Sequence, residues 1–148
     1  MTLTTTQIGL IEASFRQMLP ISGLATELFF ARLLQTAPDI QPRSHSELRA
    51  DGAEIVQELG SVVATLDDRE ALAPILRNLA ARLVARGVTP AMYGPLGQAM
   101  IYTLSHSLGE AFTHEMHDAW EAAYEVVSDE MVRSAYPTAE PETGVAAE

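Results

Sequence analysis

Apolar side chains recur at helical spacing along almost the whole chain. Ile8, Ile11, Phe15 and Met18 follow i, i+3, i+7, i+10, which predicts a first helix with Thr6 as its N-cap and Pro20 as its stop. Leu24, Leu28, Phe29, Phe30, Leu33 and Leu34 predict a second helix, capped by Ser22. Pro38 and Pro42 leave room for one short helical turn between them. A third helix starts after Ser44, where Ser44 and Glu47 have capping-box spacing, and runs on Leu48, Ile55, Leu59, Val62 and Leu66. Asp67-Asp68-Arg69-Glu70 repeats that start signal. The fourth helix then carries Leu72, Leu76, Leu79 and Leu83, with Pro74 separating its first turn and Gly87 ending it in a left-handed conformation. Thr89-Pro90 is a cap followed by proline at the first helical position, ahead of Tyr93, Leu96, Met100, Leu104 and Leu108. Gly109 and Thr113 mark the next turn and cap, and Met116, Trp120, Ala123, Val127 and Met131 predict a last helix that ends by Pro137. No run alternates with a period of two, so the predicted class is all-α.

Length and composition narrow the picture. The chain has 148 residues, the size of one ordinary domain, so the reading is one domain over 1–137 and an acidic, disordered tail over 138–148. Without cysteine there is no disulfide, no thiolate metal cluster, no cysteine nucleophile and no thioether-linked cofactor. A net charge of -11 argues against nucleic acid and anionic membranes as partners, and favours a protein partner with a basic surface, in an association that weakens with salt. The polar start shows no secretory signal and no stretch is long enough to span a bilayer, so the expected place is the cytoplasm.

Candidate chemistry is sparse. His114 and His117 stand three apart at the start of the last helix, a spacing that can put two imidazoles on one face. Without a firm third ligand they read as surface residues beside Glu110 and Glu115, and no metal site is expected. His106 lies off the apolar line, and His45 sits in the proline-rich connection. Asp67 and Asp68 read as a helix start, and the six methionines as core filler. No phosphate-binding loop, nucleophile elbow or HExxH is present, so no catalytic residue is assigned and an enzyme is not expected.

Three segments carry a resemblance. LFFARLLQTAPDIQP (Leu28 to Pro42), LRNLAARLVARGVTPAMYGPLGQAMI (Leu76 to Ile101) and LGEAFTHEMHDAWEAAYEVVSDEM (Leu108 to Met131) are similar, in that order, to bacterial globins. The likeness is to single-domain haemoglobins and the globin domain of flavohaemoglobins, and it covers roughly residues 5 to 136. It implies a globin fold of about six to seven helices in a three-over-three sandwich. It also implies where haem chemistry would sit, and there the chain departs. The proximal histidine position falls on Leu83, in a register set by Gly87-Val88 and Tyr93, and no histidine occurs between His45 and His106. The distal tyrosine position falls on Phe30, the ring-wedging phenylalanine on Ser44, the distal glutamine near Asp51, and the glutamate paired with Tyr93 near Ala135.

These departures imply a globin-like protein without normal haem binding, with no cofactor expected, that serves as a haem-free sensor or interaction module. The alternative is a haem globin with unusual ligation by Met92, Tyr93 or His45, for oxygen or nitric oxide binding or electron transfer. A third reading is a carrier of an apolar small molecule. A void of several hundred Å3 is not tolerated in a packed interior, so the remnant pocket of Phe30, Ile55, Leu79, Leu83 and Met100 is expected either to collapse or to hold another apolar ligand. An exposed helix face would serve a homodimer.

Overall fold

The computed structural model of the chain describes residues 3–36 and 45–136, with side chains described for 3–35 and 51–136. Among the described residues six α-helices follow one another: α1 (Thr5–Met18), α2 (Ser22–Thr36), α3 (His45–Ala64), α4 (Arg69–Ala85), α5 (Tyr93–Leu108) and α6 (His114–Ala135). Short 3-10 turns at Leu19–Ile21, Pro90–Met92 and Gly109–Ala111 join them, and no strand occurs among the described residues. No described helix is long and apolar enough to cross a membrane. Ser44 and the tail 138–148 lie outside the described residues.

The helix ends follow local hydrogen-bond chemistry, and several differ from the expected positions. Thr4, not Thr6, caps α1. Thr4 Oγ1 accepts from the Gln7 N–H at 3.0 Å, and Gln7 Oε1 accepts from the Thr4 N–H at 2.9 Å. Thr6 has only Gly9 three residues on and cannot complete such a box. Ser22 is no cap either. Its φ of -62° and ψ of -31° are helical, because Pro20 is absorbed in the 3-10 turn and the chain never extends before α2. Asp68 rather than Asp67 caps α4, accepting from the Ala71 N–H at 3.2 Å. The turn leaving α3 consumes one more residue than the pattern suggested, with the Asp68 N–H bound to the Thr65 carbonyl at 3.0 Å.

Pro74 does not divide α4, which runs through it. Its missing N–H would have met the carbonyl of Glu70, and both residues are exposed, so water can satisfy that carbonyl. Gly87, with φ of +88°, closes α4 as expected. The Gly87 N–H reaches the Val84 carbonyl at 2.9 Å and the Val88 N–H the Leu83 carbonyl at 3.0 Å, the paired bonds of a left-handed helix stop. Thr89 makes no side-chain cap, and Pro90 opens a 3-10 turn, so α5 begins only at Tyr93. Thr113 caps α6 as expected, accepting from the Met116 N–H at 3.1 Å.

The helices pack in two layers of three. In one, α2 lies on α5 and α5 on α6; in the other, α1 meets α3 and α3 meets α4. The layers join through α2 on α3, α1 on α6 and α4 on α6. The core between them is built from Ile11, Phe15, Val62, Leu72, Leu76, Leu104 and Trp120. Trp120 supplies the largest ring, and its Nε1–H donates to Ser14 Oγ at 2.7 Å. Both groups are buried, so this bond satisfies a polar atom on each side of the α1–α6 contact. At the α2–α3 crossing a Cβ on Gly52 would stand 2.8 Å from Thr26 Oγ1, so glycine lets these two helices approach closely.

Candidate functional site

The face that α3 turns to α4 carries Asp51, Glu54 and Glu58, spaced three and four apart, and α4 answers with Arg82 and Arg86. Arg86 binds Asp51 Oδ1 at 3.0 Å and Glu54 Oε1 at 3.1 Å. Arg82 binds Glu54 Oε2 at 3.0 Å and also Glu58. Two guanidinium groups thus clasp three carboxylates of the neighbouring helix. The members are not equal. Arg82 and Glu54 are open to water, where such pairs are worth little, but the Asp51 side chain is only 8% exposed. A carboxylate so shielded depends on the groups paired with it, Arg86 among them, since burying a charge is costly.

The structure places the residues expected to line a remnant pocket as follows. Leu79, Leu83 and Met100 are half-buried and pack against the main core. Asp51 belongs to the clasp, and Ile55 is half-buried on α3. Phe30 instead lines an open cleft of about 530 Å3 between α2 and α3, with Thr26, Leu34, Gly52 and Val56, and meets Phe29 edge-on at 5.4 Å. Val56 borders this cleft and also packs on the core that holds Leu79, Leu83 and Met100. Met92 is half-buried in the 3-10 turn before α5, and its N–H donates to the Thr89 carbonyl at 2.9 Å.

Tyr93 is buried, and its hydroxyl has no hydrogen-bond partner among the described residues. Two other tyrosines bind backbone carbonyls nearby. Tyr124 donates its hydroxyl to the Tyr93 carbonyl at 2.5 Å, while Tyr136 donates to the Val88 carbonyl. Burial, and then the nearby Tyr136, push the Tyr93 phenol above its ordinary range. Burial, and then Tyr93, raise Tyr124 further, against a lowering backbone contact at Gly97. Raised folded-state values mean that folding holds these protons. Their contribution is complete below about pH 10, where unfolded tyrosine titrates, and is lost as the pH climbs from there toward the folded values. Urea midpoints should therefore fall from pH 9.5 to 11. Tyr93→Phe should leave stability at pH 7 unchanged or raised, because it removes an unsatisfied buried hydroxyl, and should flatten the alkaline fall. A clear loss of stability in Tyr93→Phe at pH 7 would show that the hydroxyl has a partner after all.

The family model for Globin matches residues 25–131. The chain belongs to the globin family. It is 30% identical over 111 residues to a flavohemoprotein of Bordetella parapertussis, covering 72% of this chain and 27% of that protein. It is 36% identical over 75 residues to a neuroglobin of Tetraodon nigroviridis, covering 51% of this chain and 47% of the relative. It is 23% identical over 137 residues to leghemoglobin-1 of Lupinus luteus, covering 83% and 89%. The chain spans about a quarter of the length of the flavohemoproteins it matches.

The two-layer arrangement of this globin agrees with the three-over-three sandwich that the resemblance implied. Sequence reasoning missed the α3–α4 clasp. Its signal was present, as acidic residues at 51, 54 and 58 and arginines at 82 and 86, each set on one helical face. What the spacing could not show is that these two faces meet.

Proposed function

We propose that this globin does not hold haem in the manner of its family and works as a haem-free sensing or docking module, non-enzymatic and cytoplasmic. The observation that carries the reading is the pairing of Arg86 with the buried Asp51. By the resemblance, α3 and α4 are the walls between which the prosthetic group would be wedged. Here those walls are tied by the Arg86–Asp51 pair and its neighbours. The chemistry of the nearby donors points the same way. Leucine at 83 has no lone pair for iron, and its side chain is engaged with the core. Tyr93 would have to ionise to act as a phenolate ligand, and its burial opposes that. The residues present do not fit the family's mode of haem binding.

An apolar ligand in the α2–α3 cleft is a second reading. It is favoured by a volume of about 530 Å3 and by the lining of Phe30, Leu34 and Val56. Such a volume lies within the range of small-molecule sites.

The test is a visible absorption titration of the purified chain with hemin, beside Leu83→His. The expected result is no sharp Soret band from the natural chain. A sharp band with a defined spin state from that chain would overturn the proposal and make Met92, Tyr93 and His45 the ligands to replace. A band gained only by Leu83→His would place the loss of haem at that residue. A failure of both would place it in the closure of α3 on α4.

A further inference from the structure

His114 and His117 lack a third ligand in the linear pattern, but the structure supplies carboxylates beside them. His117 stands between two. Its Nδ1 lies 3.3 Å from Asp118 Oδ1, and its Nε2 lies 3.7 Å from Glu121 Oε2. Asp118 turns its second oxygen to His114 Nε2 at 3.4 Å. The two imidazoles stack at 6.1 Å with an interplanar angle of 5°, and Phe112 meets His117 edge-on at 6.4 Å. Donor atoms of His117, Asp118 and Glu121 all lie within 4.8 Å of one another.

We propose that His117 and Glu121, with Asp118 orienting the imidazole from behind, form a surface site for a divalent transition-metal ion of the zinc type, apart from the α3–α4 clasp and with water as the other ligands. The arrangement has the parts such a site needs. With Nδ1–H donating to Asp118, the imidazole is held in the tautomer that leaves the Nε2 lone pair facing Glu121. A carboxylate behind a histidine orients metal-ligating imidazoles in this way. Imidazole with carboxylate suits zinc, nickel or copper better than it suits magnesium or calcium. The positive end of α6 works against a cation there, but the local carboxylates and the chain's net charge of -11 work for it. His117 and Glu121 also line a groove of about 670 Å3 between α5 and α6, so the remaining coordination positions face open space.

The experiment is calorimetric titration of the full, untagged chain, stripped with chelator and dialysed, with zinc chloride and separately with magnesium chloride. Saturable binding of one zinc ion per chain is expected, with no comparable response to magnesium. His117→Ala and Glu121→Gln should each weaken zinc binding about tenfold or more, whereas His106→Ala, at an exposed position on α5 stacked on Tyr102, should not. Absence of saturable zinc binding at millimolar concentration would overturn the proposal. So would binding unchanged in both cluster variants, or magnesium binding as tight as zinc.

Discussion

Replacing Trp120 by alanine is expected to cost about 3–5 kcal/mol of folding free energy, the range for emptying a large buried aromatic site. The ring is 2% exposed and stands at the meeting of α1 and α6, where its Nε1–H is bound to Ser14. Truncation removes the packing area and that hydrogen bond together. Against a total of about 5–15 kcal/mol for an ordinary domain, the loss should lower the thermal midpoint by roughly 10 °C or more. Trp120→Phe should cost distinctly less. It keeps most of the ring, and Ser14 retains its bond to the Leu10 carbonyl at 2.8 Å. Urea unfolding followed by circular dichroism measures both variants. A cost for Trp120→Ala below about 1.5 kcal/mol would mean that the α1–α6 contact is not central to the core.

Arg86→Ala should destabilise by about 2 kcal/mol, and Arg82→Ala by less than about 1 kcal/mol, although the two arginines sit in one cluster. The difference comes from their partners. Arg86 neutralises Asp51, whose side chain is 8% exposed, whereas Glu54 is 42% exposed and can turn to water. Adding Asp51→Asn to Arg86→Ala should recover part of the loss, because the shielded carboxylate charge that Arg86 balanced is then gone. At 1 M salt, where screening acts over about 3 Å, the small effect of Arg82→Ala should vanish and the Arg86→Ala effect should largely persist. Equal costs for the two arginines, both erased by salt, would reduce the clasp to surface pairing and remove the main support for a closed α3–α4 wall.

The sequence by itself determined the helical class, the identity of most helices and the chemistry of their surest ends. A period near 3.6 in Leu72, Leu76, Leu79 and Leu83 or in Met116, Trp120 and Ala123 records which side of a helix leaves water. Gly87 and Thr113 were legible for a similar reason, since a left-handed stop and an N-cap are satisfied within a few residues. Caps that depend on how many residues a turn consumes were displaced, as at Thr4 for Thr6 and Asp68 for Asp67. Only the tertiary structure decided which faces meet. Phe30 lines the α2–α3 cleft and Leu83 packs against the core, placements that their spacing along the chain does not contain. The pairing of Arg86 with Asp51 joins residues of two helices, and the orphaned hydroxyl of Tyr93 depends on everything packed around it. Local spacing encodes the direction of a side chain from its own helix axis. It does not encode the position and angle of the next helix, which the packing of the whole core sets.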